Sequence, residues 1–571
     1  MSRVPFMYWT RRALTPSLIV IVGFLTICPV AMLLLGSFSE GLGAFGTLTL
    51  QKYIRSYTDP ALIEIVVHTI IFIIGSALVA TGLALFMAYL NTRTNIPFKG
   101  LFQIISVVPM MTPHILFAVS WALLLNPSNG MINLLLKQIL HLQHSPFNIY
   151  SLPGMILVEG LLDLPVSYLI IAPAMSSFDV SLEESSKVCG SSNLQTLFKI
   201  TLPVLRPAIL ASITLVAIRS LESFAVPSVL GMPGRIYLLS THIYRIIATG
   251  FAADYGMAAA VGMSPLAASV TLILLYRHLT SESERYVTIS GRGYRPALID
   301  LRKAKVPLFL IVALLSFVLI VLPVVVLLYT SLIPYSMVPS LKAFGMMSLK
   351  HWLAVLKDPI SLLSLKNSLF LGIVGATLGV VLTFFVSYTI VKVRAPSSGI
   401  LESLSFLSFS FPGIIIGVGF MWFFVRTPLY ATIGSLLIGY IATYLPYGIR
   451  PLTSAFVQIH RDLEESSRVC GGGMFYTLRR IIVPLLVPGM VSAWILMATM
   501  FVRELSISVV LSRPGNEVLA VQILRFAEDG LWGKLSALGI LMILVSTTLV
   551  VLASAAGTKL TRVGKEGKII F

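Results

Sequence analysis

A chain of 571 residues that is 57% hydrophobic and only 11% charged is too apolar for a water-soluble globule, in which about 25% of residues are charged. Its formal charge of +18 would suit a nucleic-acid partner. Most of its 41 Lys and Arg residues, however, gather on one side of the apolar segments, as the positive-inside rule requires of cytoplasmic loops, and no nucleic acid is needed to explain them.

A helix needs about 20 apolar residues to cross a bilayer. In chain order, the apolar runs predict six spans at 17–36, 64–90, 101–125, 152–175, 206–231 and 256–277. Six more follow at 306–330, 367–391, 401–425, 430–450, 486–511 and 535–556. The run near Ser17–Leu35 is longer than a signal-peptide core and no clean small-residue cleavage site follows it, so it reads as a retained span. The expected fold is an all-α polytopic membrane protein of about 12 transmembrane helices in two parallel six-helix repeats. Residues 1–279 form a first half, 280–305 a polar cytoplasmic linker and 306–571 a second half. Basic residues crowd Arg277–Lys305 and the tail at Lys559, Arg562, Lys565 and Lys568. Both termini are therefore expected in the cytoplasm. Cys28, Cys189 and Cys470 give no disulfide framework.

The two halves are read from a repeat. Leu182–Pro207, LEESSKVCGSSNLQTLFKITLPVLRP, recurs as Leu463–Pro488, LEESSRVCGGGMFYTLRRIIVPLLVP, 281 residues on, without a gap and with 14 of 26 positions identical. Leu164-Pro165 and Pro233-Gly234 recur at the same offset as Leu445-Pro446 and Pro514-Gly515. A period near half the chain is duplication of a whole bundle, not a solenoid. An even number of spans per copy gives both the same orientation, related by an axis along the membrane normal.

The repeated segment is too polar to span a membrane. Lys187, Lys199 and Arg206 in one copy, and Arg461, Arg468, Arg479 and Arg480 in the other, place it on the cytoplasmic side. Glu183 and Glu184, like Glu464 and Glu465, stand at the start of a short helix, where carboxylates favour the positive helix end. Gly190 and Gly471 follow where a left-handed C-terminal cap suits glycine. A second short helix runs toward Ile200 and Ile481, and Pro203 and Pro484 are expected to end it before the next span. The small pairs Ser185-Ser186 and Ser466-Ser467 permit close approach of another protein. An amphipathic connector would explain one copy; two copies preserving the same polar and glycine positions point to a docking surface used twice.

Glu184-Ser185-Ser186, Gly190 and Ile200-Thr201-Leu202-Pro203 resemble the EAA loop of binding-protein-dependent ABC importers: E-A-A, three residues, G, nine residues, I-x-L-P. The second copy, Glu465-Ser466-Ser467, Gly471 and Ile481-Ile482-Val483-Pro484, departs at Val483, and both copies carry Ser-Ser for Ala-Ala. The resemblance implies a permease of the bacterial inner membrane whose loops hold coupling helices, each seated in a groove of an ATP-binding subunit. On that resemblance Glu183, Glu184, Ser185, Ser186 and Gly190, with Glu464, Glu465, Ser466, Ser467 and Gly471, form the ATPase-coupling sites. The chain lacks G-x-x-x-x-G-K-[ST]. ATP and Mg are then expected on partner ATPase subunits, with no cofactor on this chain. Two loops imply two ATP-binding subunits, and the family implies an extracytoplasmic substrate-binding protein. The fused two-half form resembles ferric-iron permeases, with thiamine importers close by. The segment RYVTISGRG at Arg285–Gly293, followed by Arg295-Pro296, resembles their inter-half segment.

Ionisable groups within spans are costly and mark pathways. Glu159 and Asp163 lie four apart on one helical face. Glu222 and Glu504, with Ser506, follow the coupling loops. These five are the candidates for the translocation pathway, and an acidic path suits a cation. Local pairing is the other open reading, since Arg219 and Glu222 are three apart and Arg503 and Glu504 have neighbouring helices to pair with. His114, near Met110 and Met111, reads as a packed residue, and no metal site is expected. The expected function is the permease subunit of an ATP-driven importer, for ferric iron on the resemblance. Thiamine, a polyamine, a phosphonate or another small solute is the alternative cargo. An ion-coupled secondary transporter also has parallel six-span halves, but it has no use for twin docking loops. No nucleophile–base or metal-ligand motif supports an enzyme.

Overall fold

The computed structural model describes residues 14–41, 44–107, 109, 112–177, 181–248, 254–281, 298–408 and 411–565. Most of the expected linker, with the segment RYVTISGRG, lies outside the described residues, as do both chain ends. The architecture is all-helical and polytopic, with one short antiparallel hairpin, Ser39–Gly41 against Ala44–Leu48.

The first half contains α1 (Thr15–Ser37), α2 (Pro60–Arg93), α3 (Gly100–Val107), α4 (His114–Leu125), α5 (Met131–Leu140), α6 (Leu152–Ser177), α7 (Ser181–Val188), α8 (Arg206–Glu222), α9 (Leu239–Ala248) and α10 (Tyr255–Ser281). The second contains α11 (Arg302–Leu332), α12 (Pro359–Val393), α13 (Ser398–Leu407), α14 (Gly413–Phe424), α15 (Ile433–Gln458), α16 (Asp462–Val469), α17 (Phe475–Val502), α18 (Leu519–Glu528) and α19 (Trp532–Thr558). Among the described residues, eight helices are long and apolar enough to cross a membrane. A ninth is the pair Asn193–Val204 and α8, bent by 68°. The remaining expected spans look different. Spans 101–125 and 401–425 are each two short helices, α3 with α4 and α13 with α14. Pro113 and Pro412 precede α4 and α14, and a proline lacks the N–H and crowds the turn before it, so neither helix continues through. Span 430–450 falls mostly on α15, which starts at Ile433 and is a 26-residue helix broken in polarity by Arg450 and several hydroxyls.

Pro203 and Pro484 do not end their helices as expected. Pro203 sits in the first turn of Leu202–Val204, and the bend comes at Leu205. In the second copy α17 runs through both Pro484 and Pro488. A π-helical turn, Leu197–Thr201 or Leu478–Ile482, precedes each proline. That turn has already shifted the hydrogen-bond ladder by one residue, so the missing proline N–H breaks little.

The halves embrace. Every residue from Ile115 to Leu125 is buried, as is nearly all of α14, so these two short helices form the centre. Each packs against the first span of the other half. The Ser120 hydroxyl of α4 donates to the Pro323 carbonyl of α11 at 3.1 Å. Gly419 of α14 presses on the Pro29 carbonyl of α1 so closely that a Cβ there would lie 2.0 Å from the oxygen. Ser120 and Gly419 are equivalent positions, as are Pro113 and Pro412, each pair 299 apart. The outer helices turn Val20, Ile63, Val306, Leu310 and Leu314 outward, as a lipid solvent allows.

Candidate coupling loops and intramembrane chamber

Both copies of the repeat fold alike. In α7 the Gly190 N–H bonds the Lys187 carbonyl at 2.9 Å, and Ser191 N–H reaches Ser186 at 3.1 Å. In α16 the matching bonds run from Gly471 to Arg468 at 3.0 Å and from Gly472 to Ser467 at 2.8 Å. Gly190 and Gly471 take φ of +85° and +83°, the left-handed cap that closes orphan carbonyls at a helix end. The chain then turns back into a second short helix. Ser186 Oγ lies 3.1 Å from Thr196 Oγ1 and Ser467 Oγ 2.8 Å from Thr477 Oγ1, clasping the two short helices together.

The ten expected coupling residues divide by what they face. Glu183 and Glu464, the first acid of each pair, point inward and are 5% and 7% exposed. Glu183 Oε2 meets Arg93 Nε at 3.0 Å and its Oε1 accepts from the Thr201 hydroxyl at 2.7 Å. Glu464 Oε1 meets Lys392 Nζ at 3.5 Å, with Arg468 at 3.8 Å from Oε2. Arg93 and Lys392 occupy equivalent ends of α2 and α12, 299 apart. Thus each loop is tied to the second span of its own half. Glu184 is half-buried, and Ser185, Glu465 and Ser466 are exposed. Beside them Val188 and Val469 are each 88% exposed. Sequence reading missed these valines, although the repeat contains them at the same register. It also missed Arg93 and Lys392, which sit outside the repeat.

A cavity of about 150 Å³ opens where four interrupted helices converge. It is lined by His114 at the start of α4, Gly413 at the start of α14, Glu222 to Ala225 after α8, and Arg503 to Ser506 after α17. Glu159, Arg219, Tyr444 and Tyr447 are also in its lining. Non-helical backbone at membrane depth is tolerated where it lines such a cavity, and side chains help satisfy it here. The Glu504 carboxylate accepts the Ile507 N–H at 2.7 Å and a hydrogen bond from the Tyr444 hydroxyl. The Ser240 hydroxyl donates to the Ser223 carbonyl at 2.8 Å.

Glu159, Glu222, Glu504 and Ser506 all line the chamber, while Asp163 stands just behind it. The Arg219–Glu222 ion pair, one of the two open readings, is not among the ion pairs of the described residues. Arg219 Nε instead meets Asp163 Oδ1 at 2.6 Å, a partner 56 residues away that the sequence spacing hid. Glu159 accepts from the Ser223 hydroxyl at 2.9 Å. Among the described residues Glu222 has no hydrogen bond or ion pair and is left facing the cavity. Glu504 both lines the chamber and accepts the Ile507 N–H at the turn after α17. No group of three or more His, Cys, Asp or Glu side chains among the described residues is arranged to hold a metal.

Two embracing halves, twin cytoplasm-type loops and a chamber between them define a solute permease. Residues 80–282 and 375–562 each match the family described as binding-protein-dependent transport system inner membrane component, and the chain belongs to that family. It is therefore a multi-pass inner-membrane permease of an ABC importer, not itself an enzyme, and its system includes ATPase and substrate-binding components. The chain is 26% identical to the ferric transport system permease protein FbpB of Actinobacillus pleuropneumoniae, across 94% of its own length and 76% of that protein's. It is 23% identical to an Fe(3+)-transport system permease protein of Haemophilus influenzae, over 93% of this chain and 95% of that one. A bacterial alginate ABC transporter, crystallised with a pentasaccharide-bound periplasmic protein, covers 48% of this chain and 93% of its own at 20% identity and a TM-score of 0.38.

Proposed function

We propose that this permease carries ferric iron, delivered by an extracytoplasmic binding protein, and that two ATP-binding subunits drive it by docking on α7 and α16. ATP and Mg are held by those subunits. The halves are taken as residues 1–279 and 306–571, joined by a cytoplasmic linker, with both termini in the cytoplasm. The relatives' names supply the metal. The observation that carries the reading is the chamber: three carboxylates, Glu159, Glu222 and Glu504, and the hydroxyls of Tyr444 and Tyr447 converge between the halves. Hard cations prefer oxygen ligands of this kind. The set has too few clustered ligands for a resident site, which suits a cargo that must leave. A phosphonate would meet more carboxylates, three, than guanidinium groups, two, here.

The test is uptake of radiolabelled ferric iron, thiamine and putrescine by cells that express the permease with its neighbouring ATPase and binding protein. Ferric iron should enter, and Glu222→Gln, which keeps volume and removes charge, should cut its uptake roughly tenfold with assembly intact, the loss of one charge-assisted contact. Uptake of an organic cation without iron would refute the iron reading. Normal iron uptake by the Gln variant would remove Glu222 from the route.

A further inference from the structure

The end of the inter-half linker is built into the first coupling loop's support. Beyond Arg93, the chain at Thr94 and Asn95 runs beside residues 299–301 as an isolated parallel bridge, Thr94 with Ile299. Ile299 N–H donates to the Arg93 carbonyl at 2.9 Å, and Asn95 N–H donates to the Ile299 carbonyl at 3.2 Å. The Asn95 side chain works both ways: its Nδ2 donates to Asp300 Oδ1 at 2.8 Å, and its Oδ1 accepts Leu301 N–H at 3.1 Å. The Arg302 N–H and the Asn95 amide hold the Asp300 carboxyl below its usual range. One residue later α11, the first span of the second half, begins. Arg93 is also the buried partner of Glu183 in α7. A short, fully bonded path therefore runs from the first coupling helix, through Arg93, to the first span of the opposite half. The second loop has no matching bridge among the described residues; its Lys392 is held by the Ile459 carbonyl at 2.5 Å, within its own half.

We propose that Ile299, Asp300 and Asn95 are positioning residues that couple the first loop to the second half, so that the two loops drive the bundle unequally. This rests on the reading of α7 as an ATPase-docking helix. The linker is then a mechanical part and not a tether. A backbone contact of this kind resists the sliding that flexible sequence would allow, and a hydrogen bond lost from it weakens transmission without touching cargo or ATP.

The experiment uses the full chain assembled with its ATPase and binding-protein partners in liposomes, and reads ferric ion moved per ATP hydrolysed. Ile299→Pro removes the N–H that binds Arg93, and Asp300→Ala removes the acceptor for Asn95 and Arg302. Each is expected to lower the transport-to-hydrolysis ratio roughly fivefold, the worth of one ordinary hydrogen bond, with melting temperature and assembly unchanged. Asp300→Asn keeps an acceptor oxygen and is expected to restore the ratio, which a mere loss of charge would not. Should Ile299→Pro fail to assemble, Asp300→Ala against Asp300→Asn decides. Wild-type ratios in both disruptive variants overturn the proposal. Glu184→Arg separates the two levels: if it leaves ATPase attachment and uptake intact, the docking reading has failed; if it uncouples while the linker variants do not, the strut alone has failed.

Discussion

The adjacent acids of each loop should behave as opposites, and Glu183 against Glu184 is the sharpest case. Glu183 and Arg93 have side chains only 7% and 3% exposed, 3.0 Å apart. Removing one member of a buried ion pair strands the other charge, at a cost of about 3–5 kcal/mol. The Thr201 hydroxyl, 2.7 Å from Glu183, loses its acceptor as well, at about 1 kcal/mol. The loop lies at the water-facing end of the bundle, so the lower figure applies, and Glu183→Ala is expected to cost about 3 kcal/mol. Glu184 is half-buried where Glu183 is buried, and Glu184→Ala should change stability by no more than about 1 kcal/mol.

The loop can open without the spans unfolding, so the right readout is local hydrogen exchange across residues 181–196 in the detergent-solubilised permease. A cost of 3 kcal/mol speeds exchange there by about a hundredfold. Arg93→Met combined with Glu183→Met should recover most of the loss, because a buried pair exchanged for apolar groups of similar volume is often neutral. Equal exchange in the Glu183→Ala and Glu184→Ala proteins would refute the inward anchor. So would a double variant as labile as the sum of its two single changes.

Two glycine classes give further checks. Gly190→Ala and Gly471→Ala meet nothing within 4 Å of the new Cβ, so the strain is that of the left-handed backbone, about 1–2 kcal/mol; ATPase co-purification should weaken while span packing, read by thermal unfolding, stays unchanged. Gly419→Ala must push Pro29 away and should cost about 3 kcal/mol or more, seen as loss of folded protein in the membrane. Gly82→Ala, which also meets nothing within 4 Å, should be neutral or stabilising by up to about 1 kcal/mol.

Sequence period carried the reading of the spans, because a bilayer demands long apolar runs and tolerates little else. The repeated loops were legible for a different reason. They are short, local and present twice, so the left-handed glycines and the acidic helix starts could be read against one another. What stayed hidden was contact between distant segments. Arg219 had a plausible partner three residues away in Glu222, yet it reaches Asp163 on α6. The i,i+3 rule ranks neighbours on a regular helix, and α8 ends at Glu222, where the chain leaves the helical path. The interruptions at Pro113 and Pro412 stayed hidden for a related reason. Hydropathy averages over about 19 residues and passes across Pro113 and Pro412 without registering that helix α4 or α14 must start anew.

The two halves keep different things. At the 281-residue offset, the docking loops preserve Leu, Glu-Glu, Ser-Ser, Val-Cys-Gly, while the chamber positions diverge: Glu222 stands opposite Arg503, Ser223 opposite Glu504, Ala225 opposite Ser506 and Asp163 opposite Tyr444. Duplication alone does not separate these regions, since both began as identical copies. If the loops dock on like partners, as proposed above, each must keep the same contact face, which matches their shared residues. The chamber is a single space, and its lining acts as one set whichever half supplies a group. A carboxylate–hydroxyl hydrogen bond is found at the break in each half: Ser223 donates to Glu159 on α6, whereas Glu504 accepts from Tyr444 on α15, one turn beyond Tyr440, the position opposite Glu159. Each break is thereby pinned to the neighbouring span by the same chemistry. Each half thus brings both signs of charge to one chamber, Glu159, Arg219 and Glu222 from the first and Arg503 and Glu504 from the second, in a different order along the chain.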